Sequence, residues 1–277
     1  MKPQSPPAPW DRRVNAHVKI QFNSAIGAGK LRRAHRLFRE DGRAVLVAID
    51  HAAYMGTGPV EASIEAIAAG RPDGILASWH VARSHAESFV DAGLILRVDG
   101  GISELREDMP GDVSSMLYRA EQALAIGADA VVALAFPGAP NEQESLQRLA
   151  RLCSECDLLG LPVMGEMIPG GWGQEIPWTS ETVARAARIG VELGADIIKT
   201  VCPEDPSEFS AVVKACPAPV VVLGGPKMAR EDEVVALARG VVESGAAGVV
   251  FGRNIWGSSD PRALVESLRR VVHGDEV

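Results

Sequence analysis

"APVVVLGGPKMAREDEVVALARGVVESGAAGVVFGRN", residues 218–254, is the stretch whose reading decides the fold. An apolar run, 218–224, is followed by a segment of helical period that stops at Gly245, and a second apolar run fills 246–252. A glycine placed where the periodic residues stop is the ordinary C-terminal helix signal. The unit therefore reads strand, helix, strand, with both strands short and buried. Each strand runs out into glycine and a cation: Gly224-Gly225-Pro226-Lys227 after the first, Gly252-Arg253-Asn254 after the second.

The same rhythm extends back to Asp41. Strand candidates lie at 44–50, 73–79, 93–98, 128–136, 161–167 and 195–200, ahead of the two already described. Helix-period segments such as "TSETVARAARIGVELG" separate them, and Gly127, Gly160 and Gly194 stop three more helices. About eight strands alternating with helices close most naturally into a (β/α)8 barrel of class α/β. A doubly wound open sheet is the alternative. The glycine-rich ends of the last two strands favour the barrel, because barrels often bind phosphate after those two strands. No linker interrupts the pattern. Residues 30–277 read as one barrel domain, and residues 1–29 as an N-terminal tail and lead-in segment, the first twelve flexible.

Composition narrows the class. Hydrophobic residues make up 47% of the 277-residue chain and aromatics only 5%, which suits parallel strands under helices better than an aromatic-rich sandwich. The net charge of −8 argues against nucleic-acid binding. A polar, proline-rich N-terminus without an apolar stretch, and no run long enough for a bilayer, predict a cytoplasmic protein with no membrane partner. Cys153 and Cys156 form a C-x-x-C pair inside a helical segment without a second ligand pair, so they read as ordinary helix residues. "GAGK" at 27–30 lacks the spacing and the hydroxyl of a phosphate loop. The basic segment 30–41 reads as a solvated helix face that packs before the first strand, in preference to a membrane-binding helix.

In such a barrel the C-terminal strand ends converge on the active site. Here those ends carry Asp50-His51, Ser78-Trp79-His80, Arg97-Val98-Asp99, Glu166-Met167, Lys199-Thr200 and the two glycine-rich turns. Lys199 ends an apolar run, where a lysine either snorkels to water or serves as a desolvated amine. A neutral amine attacks a ketone to give an iminium, an electron sink for an adjacent carbon–carbon bond. Neutrality needs burial or a nearby cation, for which Lys227 or Arg253 are candidates. Asp50 is a candidate general acid/base or an orienting or capping carboxylate. His51 is a candidate for the same work or a structural histidine. Gly224, Gly225, Gly252, Lys227 and Arg253 suit an oxyanion, since glycine lets the backbone approach and arginine offers a fork.

"IDHA" (49–52), "GADIIKT" (194–200), "VVVLGGPK" (220–227), "SGAAGVVFGRNIW" (244–256) and "DPRALVESLRRVVH" (260–273) together resemble the archaeal-type class I (Schiff-base) aldolase family. That family includes fructose-bisphosphate aldolases, 2-amino-3,7-dideoxy-heptulosonate synthases and the phospho-autoinducer-2 thiolase. The resemblance spans residues 30–273. It implies a metal-independent lyase or transaldolase without a cofactor, acting on a phosphorylated keto or ketose substrate. By resemblance Lys199 is the Schiff-base lysine and Asp50 the acid/base, and Gly225, Gly252 and Arg253 bind substrate phosphate. Homo-oligomers are common among such barrels.

One departure stands out. Many members carry a Tyr-Pro-Arg-Gly run after the fifth strand, and here "GEMIPGG" (165–171) puts Ile168 in place of the tyrosine and Gly170 in place of the arginine. Glu166 lies two residues before Ile168, on the same strand face, and is the candidate to replace the tyrosine or to bind a cationic substrate group. The missing arginine argues against a second substrate phosphate. Arg97 and Asp99 in "LRVDGGIS" (96–103) are expected at the mouth, with Trp172 and Trp178 on a loop over it, as a lid or packed on the rim. A catalytically degenerate sugar-phosphate-binding barrel is the rival reading. A pyridoxal-phosphate lysine and a metal-dependent aldolase are weaker ones, the latter because His51, His80 and His85 are scattered.

Overall fold

Eight strands form a closed parallel barrel in chain order: β1 (Ala44–Ala48), β2 (Gly74–Ala77), β3 (Gly93–Arg97), β4 (Ala130–Ala135), β5 (Val163–Met167), β6 (Ile197–Thr200), β7 (Val220–Leu223) and β8 (Gly248–Phe251). The computed structural model describes residues 26–56, 58–100, 114–173, 176–203 and 205–274. Most of the expected tail, and residues 101–103 of "LRVDGGIS", lie outside the described residues. Every strand falls inside its expected span. Pairing of β8 with β1, Ala44 opposite Gly248, closes the sheet and excludes the open alternative. The closure is tight: Gly248 has φ +135°, and a Cβ there would lie 1.9 Å from the Ala44 carbonyl oxygen.

Strand alternation sorts the side chains into two shells. Ala44, Leu46 and Ala48 of β1 face the axis with Ile95, Met164, Ile197 and Val250, whereas Val45, Val47 and Ile49 pack outward under the helices. Full burial of each aliphatic side chain contributes roughly 1.5–3 kcal/mol. Two residues beyond Ala48, Ile95, Met164 and Ile197 on the same inner face come Asp50, Arg97, Glu166 and Lys199. The barrel thus changes from apolar filling to charge within one layer, at its C-terminal end.

The other end is plugged by the basic segment. After the helix Ala28–Ala34, Leu37 and Phe38 turn into the barrel, and a Cβ at Gly93 would lie 2.5 Å from Leu37 Cδ2. Asp73, Asp129 and Asp196, each immediately before an even-numbered strand, accept the backbone N–H of Val45 (2.6 Å), Leu94 (3.0 Å) and Val163 (2.9 Å). Their cations come from the plug: Arg39 at 2.7 Å, Arg36 at 3.1 Å and Lys30 at 2.9 Å, respectively. The expectation of a purely solvated face is therefore corrected. Lys30 is 4% exposed, and although burial opposes its charge, Asp196 and Asp157 outweigh that and raise its pKa. Gly29 of "GAGK" packs on the Gly160 backbone, so these glycines serve packing.

His273, at the end of the helix Pro261–His273, holds this end together. Its Nδ1 is 2.8 Å from Asp41 and its Nε2 2.8 Å from Asp73. Burial opposes its charge, but the two carboxylates prevail and raise its pKa from 6.5 to about 9. A group raised in the folded state stabilises fully below its unfolded pKa and loses that contribution as pH climbs through the folded value. Stability is therefore expected to fall by about 2–3 kcal/mol between pH 6.5 and pH 9.5 through this group. Urea unfolding at both pH values checks it, with His273→Gln flattening the difference.

An antiparallel ribbon, Asp99–Gly100 with Ser115–Met116, follows β3. Two-residue strands carry no readable period, and the sequence reading does not contain it. Among the described residues no helix is long and apolar enough to cross a membrane.

Candidate active site

Register sets the centre of the site. β5 and β6 pair with Glu166 directly opposite Lys199, so both side chains enter the barrel at one level. Lys199 Nζ lies 2.6 Å from Glu166 Oε1. The other carboxylate oxygen accepts a hydrogen bond from Arg97 Nη2. Arg97 Nε donates to Asp50 Oδ2 at 2.9 Å, and Nη1 to Asp99 Oδ1 at 3.1 Å. All five residues are 5% exposed or less. A planar guanidinium is suited to bridging three carboxylates at once, where an ammonium is a single point charge.

Glu166 is held as a carboxylate. Burial alone would raise its pKa, but Lys199 and Arg97 together hold it at about 2. It is ionised throughout the working range, and its charge is shared between the Lys199 amine and the Arg97 guanidinium. Asp99 serves the cluster from behind: Oδ2 accepts the Leu134 N–H at 2.8 Å and the Ser114 hydroxyl at 3.1 Å.

The expected cation beside Lys199 is absent from its immediate contacts. Lys227 Nζ donates to the Gly257 carbonyl, and Arg253 Nη2 donates to the Gly225 carbonyl at 3.1 Å. The direct partner of the amine is a carboxylate, because β5 is its neighbour in the sheet whereas Lys227 and Arg253 sit on the rim.

The rim after β7 and β8 is one stitched unit. Asn254 Nδ2 donates to the Gly224 carbonyl at 2.9 Å, and its Oδ1 accepts the Met228 N–H at 2.7 Å. Gly225 has φ +63° and no atom within 4 Å of where its Cβ would be, so open space lies over its backbone. Gly252, by contrast, is required by packing, since a Cβ would stand 2.4 Å from His51 Cε1. Among the described residues, Arg253 Nε and Trp256 Nε1 are buried donors without an acceptor. Two unsatisfied buried donors beside an open glycine turn are what an oxyanion would satisfy.

His51 packs against this rim, its ring 5.6 Å from Trp256 and edge-on to it. Its Nδ1 is 3.5 Å from Asp50 Oδ1, too far for a good hydrogen bond, and makes none among the described residues. Burial lowers its pKa, with Asp50 opposing and Lys199 and Arg253 assisting. His51 is therefore neutral near pH 7.

Tyr54 and Asn254 are missing from the sequence-based candidates. Tyr54 lies on the helical turn Ala52–Met55 that follows Asp50, with its ring centroid 5.8 Å from His51. Burial and the charge of Asp50 raise its phenol pKa, with Arg97, Glu166 and Arg253 also acting on it. Its place four residues after Asp50 was the available signal. His80 and His85 stand apart, beside Ser84 and Glu61.

The "GEMIPGG" turn has a physical explanation. β5 ends at Met167, one residue short of the alternation that would set Ile168 beside Glu166, and Ile168 is fully buried in apolar packing. Gly170 has φ +71°, and a Cβ would lie 2.5 Å from Ile176 N, so no arginine fits there. Trp178 packs on the rim, donating to the Pro169 carbonyl at 3.0 Å, while Trp172 is 41% exposed. Residues 174–175 of that loop lie outside the described residues.

Comparison with known proteins bears on the family and the fold. The DeoC/LacD family aldolase profile matches residues 44–258. The chain is 36% identical over 251 residues to 2-amino-3,7-dideoxy-D-threo-hept-6-ulosonate synthase 1 of Archaeoglobus fulgidus, covering 89% of this chain and 92% of that one. It is 32% identical over 264 residues to the 3-hydroxy-5-phosphonooxypentane-2,4-dione thiolase of Klebsiella pneumoniae, covering 94% and 86%. A solved archaeal fructose-1,6-bisphosphate aldolase, its catalytic lysine covalently bound to the carbinolamine intermediate of the substrate, superposes with a TM-score of 0.77 at 29% identity, covering 88% of this chain and 100% of that one.

Proposed function

The chain belongs to the DeoC/LacD family of aldolases, and from that membership we propose that it is a lysine-dependent class I aldolase or transaldolase, working through an imine on Lys199. The donor is a phosphorylated ketone of the dihydroxyacetone phosphate kind, and the acceptor a small aldehyde. The observation that carries this reading is the unbroken chain of contacts Lys199–Glu166–Arg97–Asp50 across the mouth of the barrel.

Each residue has a role in the cycle. As the donor binds, the proton of the Lys199 ammonium passes by way of Glu166 to the donor oxygen that leaves as water, and the neutral amine adds to the donor ketone. Loss of water leaves an iminium beside the anionic cluster, which stabilises its positive charge. Electrons of the adjacent bond then flow toward nitrogen, and an enamine results. Asp50 orients the donor hydroxyl and exchanges protons with it. Arg97 fixes all three carboxylates, so it is a positioning residue rather than a reacting one. Arg253, Trp256 and the Gly225 backbone receive the phosphate, with Gly224 and Gly252 shaping the turn and Lys227 adding positive charge at its edge. The Gly170 turn supports a single-phosphate substrate, since its positive φ and the approach of Ile176 leave no room for the arginine there.

The phosphate assignment yields a direct test. Arg253→Ala is expected to raise KM for dihydroxyacetone phosphate about 10–100-fold, the cost of losing a charge-assisted hydrogen bond. KM for unphosphorylated dihydroxyacetone should move less than about threefold, and turnover should persist in excess chelator. Steady-state assays with both donors decide it. Equal effects on the two donors would remove the phosphate from that rim.

A further inference from the structure

Resting on the aldolase reading, we propose that Leu134 selects the acceptor, and that the acceptor is a short aliphatic aldehyde whose alkyl chain lies on it. Leu134 is half-buried, where the other residues of β4 are buried. Ala130 and Val132 of the same strand face the barrel axis. Alternation brings Leu134 to that face one layer further up, the layer of the charged cluster. The sheet register agrees, since Leu134 stands directly opposite Glu166 and Glu166 directly opposite Lys199. An aliphatic side chain, a carboxylate and the reactive amine are thus neighbours on three adjacent strands.

The rest of that layer is closed. Asp50, Ser78, Arg97, Glu166, Lys199 and Leu223 continue the inner faces of their strands, and each is 8% exposed or less. Among the described side chains of the layer, the open surface is therefore that of Leu134. Its backbone is pinned from both sides. The N–H donates to Asp99 Oδ2 at 2.8 Å, and the carbonyl accepts from Arg148 Nη2 at 2.9 Å. The register of β3 with β4 ends at Arg97 and Val132, so these two side chains take over where the strands part. A side chain on a backbone held in this way presents one fixed surface to the mouth.

The order of the strands decides which reactant meets that surface. In dihydroxyacetone phosphate the carbonyl carbon lies between the carbon bearing the phosphate and the carbon that becomes the nucleophile. With the phosphate on the rim after β7 and β8, and the carbonyl carbon on Lys199 of β6, the nucleophilic carbon points toward β5 and β4. The acceptor bonds to that carbon, so its substituent lies over Glu166 and extends to Leu134. Adjacent strands are about 4.8 Å apart, a gap that a chain of about four carbons spans. A methylene chain gains by leaving water for the leucine surface. A phosphate in the same place would be set beside the Glu166 carboxylate. The Gly170 turn leaves no room for an arginine to offset that repulsion.

The test ranks acceptors and reads the donor half separately. Wild type, Leu134→Ala and Leu134→Met are first treated with dihydroxyacetone phosphate and borohydride, and the trapped adduct is measured. Each is then assayed with butanal, glycolaldehyde and glyceraldehyde 3-phosphate, with kcat/KM counted on the unhydrated aldehyde. Both variants are expected to trap donor within about twofold of wild type, which also shows that they fold. Wild type should favour butanal over either polar aldehyde by about tenfold or more, at about fourfold per buried methylene. Leu134→Ala should lose about tenfold or more with butanal and less than about threefold with glycolaldehyde, while Leu134→Met keeps the wild-type order. Equal effects on those two aldehydes in Leu134→Ala would overturn the role of Leu134. So would a wild type that favours glyceraldehyde 3-phosphate, a result that needs no variant to fold. Either outcome leaves the lysine reading in place. No adduct in the wild-type protein would overturn the lysine reading, and Leu134 with it.

Discussion

Lys199→Met is expected to abolish turnover, by about four orders of magnitude or more, and to leave the fold close to its full stability. Removal of a covalent nucleophile takes away the reaction path itself, and such losses are among the largest that single substitutions produce. The small stability cost follows from what remains. Glu166 keeps its hydrogen bond from Arg97 when the amine is gone, so no carboxylate is left bare in the barrel. Methionine fills nearly the same volume and brings no polar group. A loss of about 1–2 kcal/mol is expected, small against a typical total of about 5–15 kcal/mol. Turnover with dihydroxyacetone phosphate and an aldehyde, beside urea unfolding, measures both halves. Substantial residual turnover in a folded variant would remove Lys199 from the mechanism.

Arg97→Leu has the opposite profile, with stability hit first. Its guanidinium is the common partner of Asp50, Asp99 and Glu166, all buried. Leucine leaves three carboxylates in a low-dielectric space, where Glu166 keeps Lys199 at 2.6 Å and Asp99 only the longer contact with Arg148 at 3.9 Å. Breaking one buried ion pair by deleting a partner costs about 3–5 kcal/mol, and here three lose theirs together. The variant is expected to unfold at a denaturant midpoint corresponding to at least that loss, and to be inactive where it folds. Because the lost pairs favour ionised Glu166, whose pKa is depressed to about 2, part of the penalty is relieved as the carboxylates protonate in acid. A depressed carboxylate stabilises above its unfolded pKa, about 4.5, so the deficit against wild type should shrink as pH falls below that value. Arg97→Lys should restore little, since one ammonium cannot occupy three directions.

The barrel was legible because its signals are local. Strand runs such as 246–252, and stops such as Gly245, need only neighbouring residues to be read. Lys199, Glu166 and Arg97 were legible as strand ends, because alternation carries an inner-face residue to the mouth. Their partners were not. Which cation or carboxylate touches Lys199 depends on the β5–β6 register, and the sequence reading offered Lys227 or Arg253 where the sheet supplies Glu166. The plug shows the same limit: aspartates before β2, β4 and β6 recur visibly in "PDGIL", "ADAVV" and "ADIIK", but only the closed barrel brings Arg39, Arg36 and Lys30 to them. Tyr54 was missed because its packing against His51 depends on the short helical turn Ala52–Met55, which is too brief to show a period. Gly170 was read as a missing arginine, whereas its positive φ and the approach of Ile176 make glycine the residue that the turn requires.

The central claim is a covalent bond to one amine. Wild-type protein treated with dihydroxyacetone phosphate and sodium borohydride, digested and read by mass spectrometry, tests it most directly. The account predicts a reduced donor adduct on the peptide bearing Lys199, and no adduct in K199M. An adduct confined to another lysine, or none in a protein that still makes the carbon–carbon bond, would contradict it.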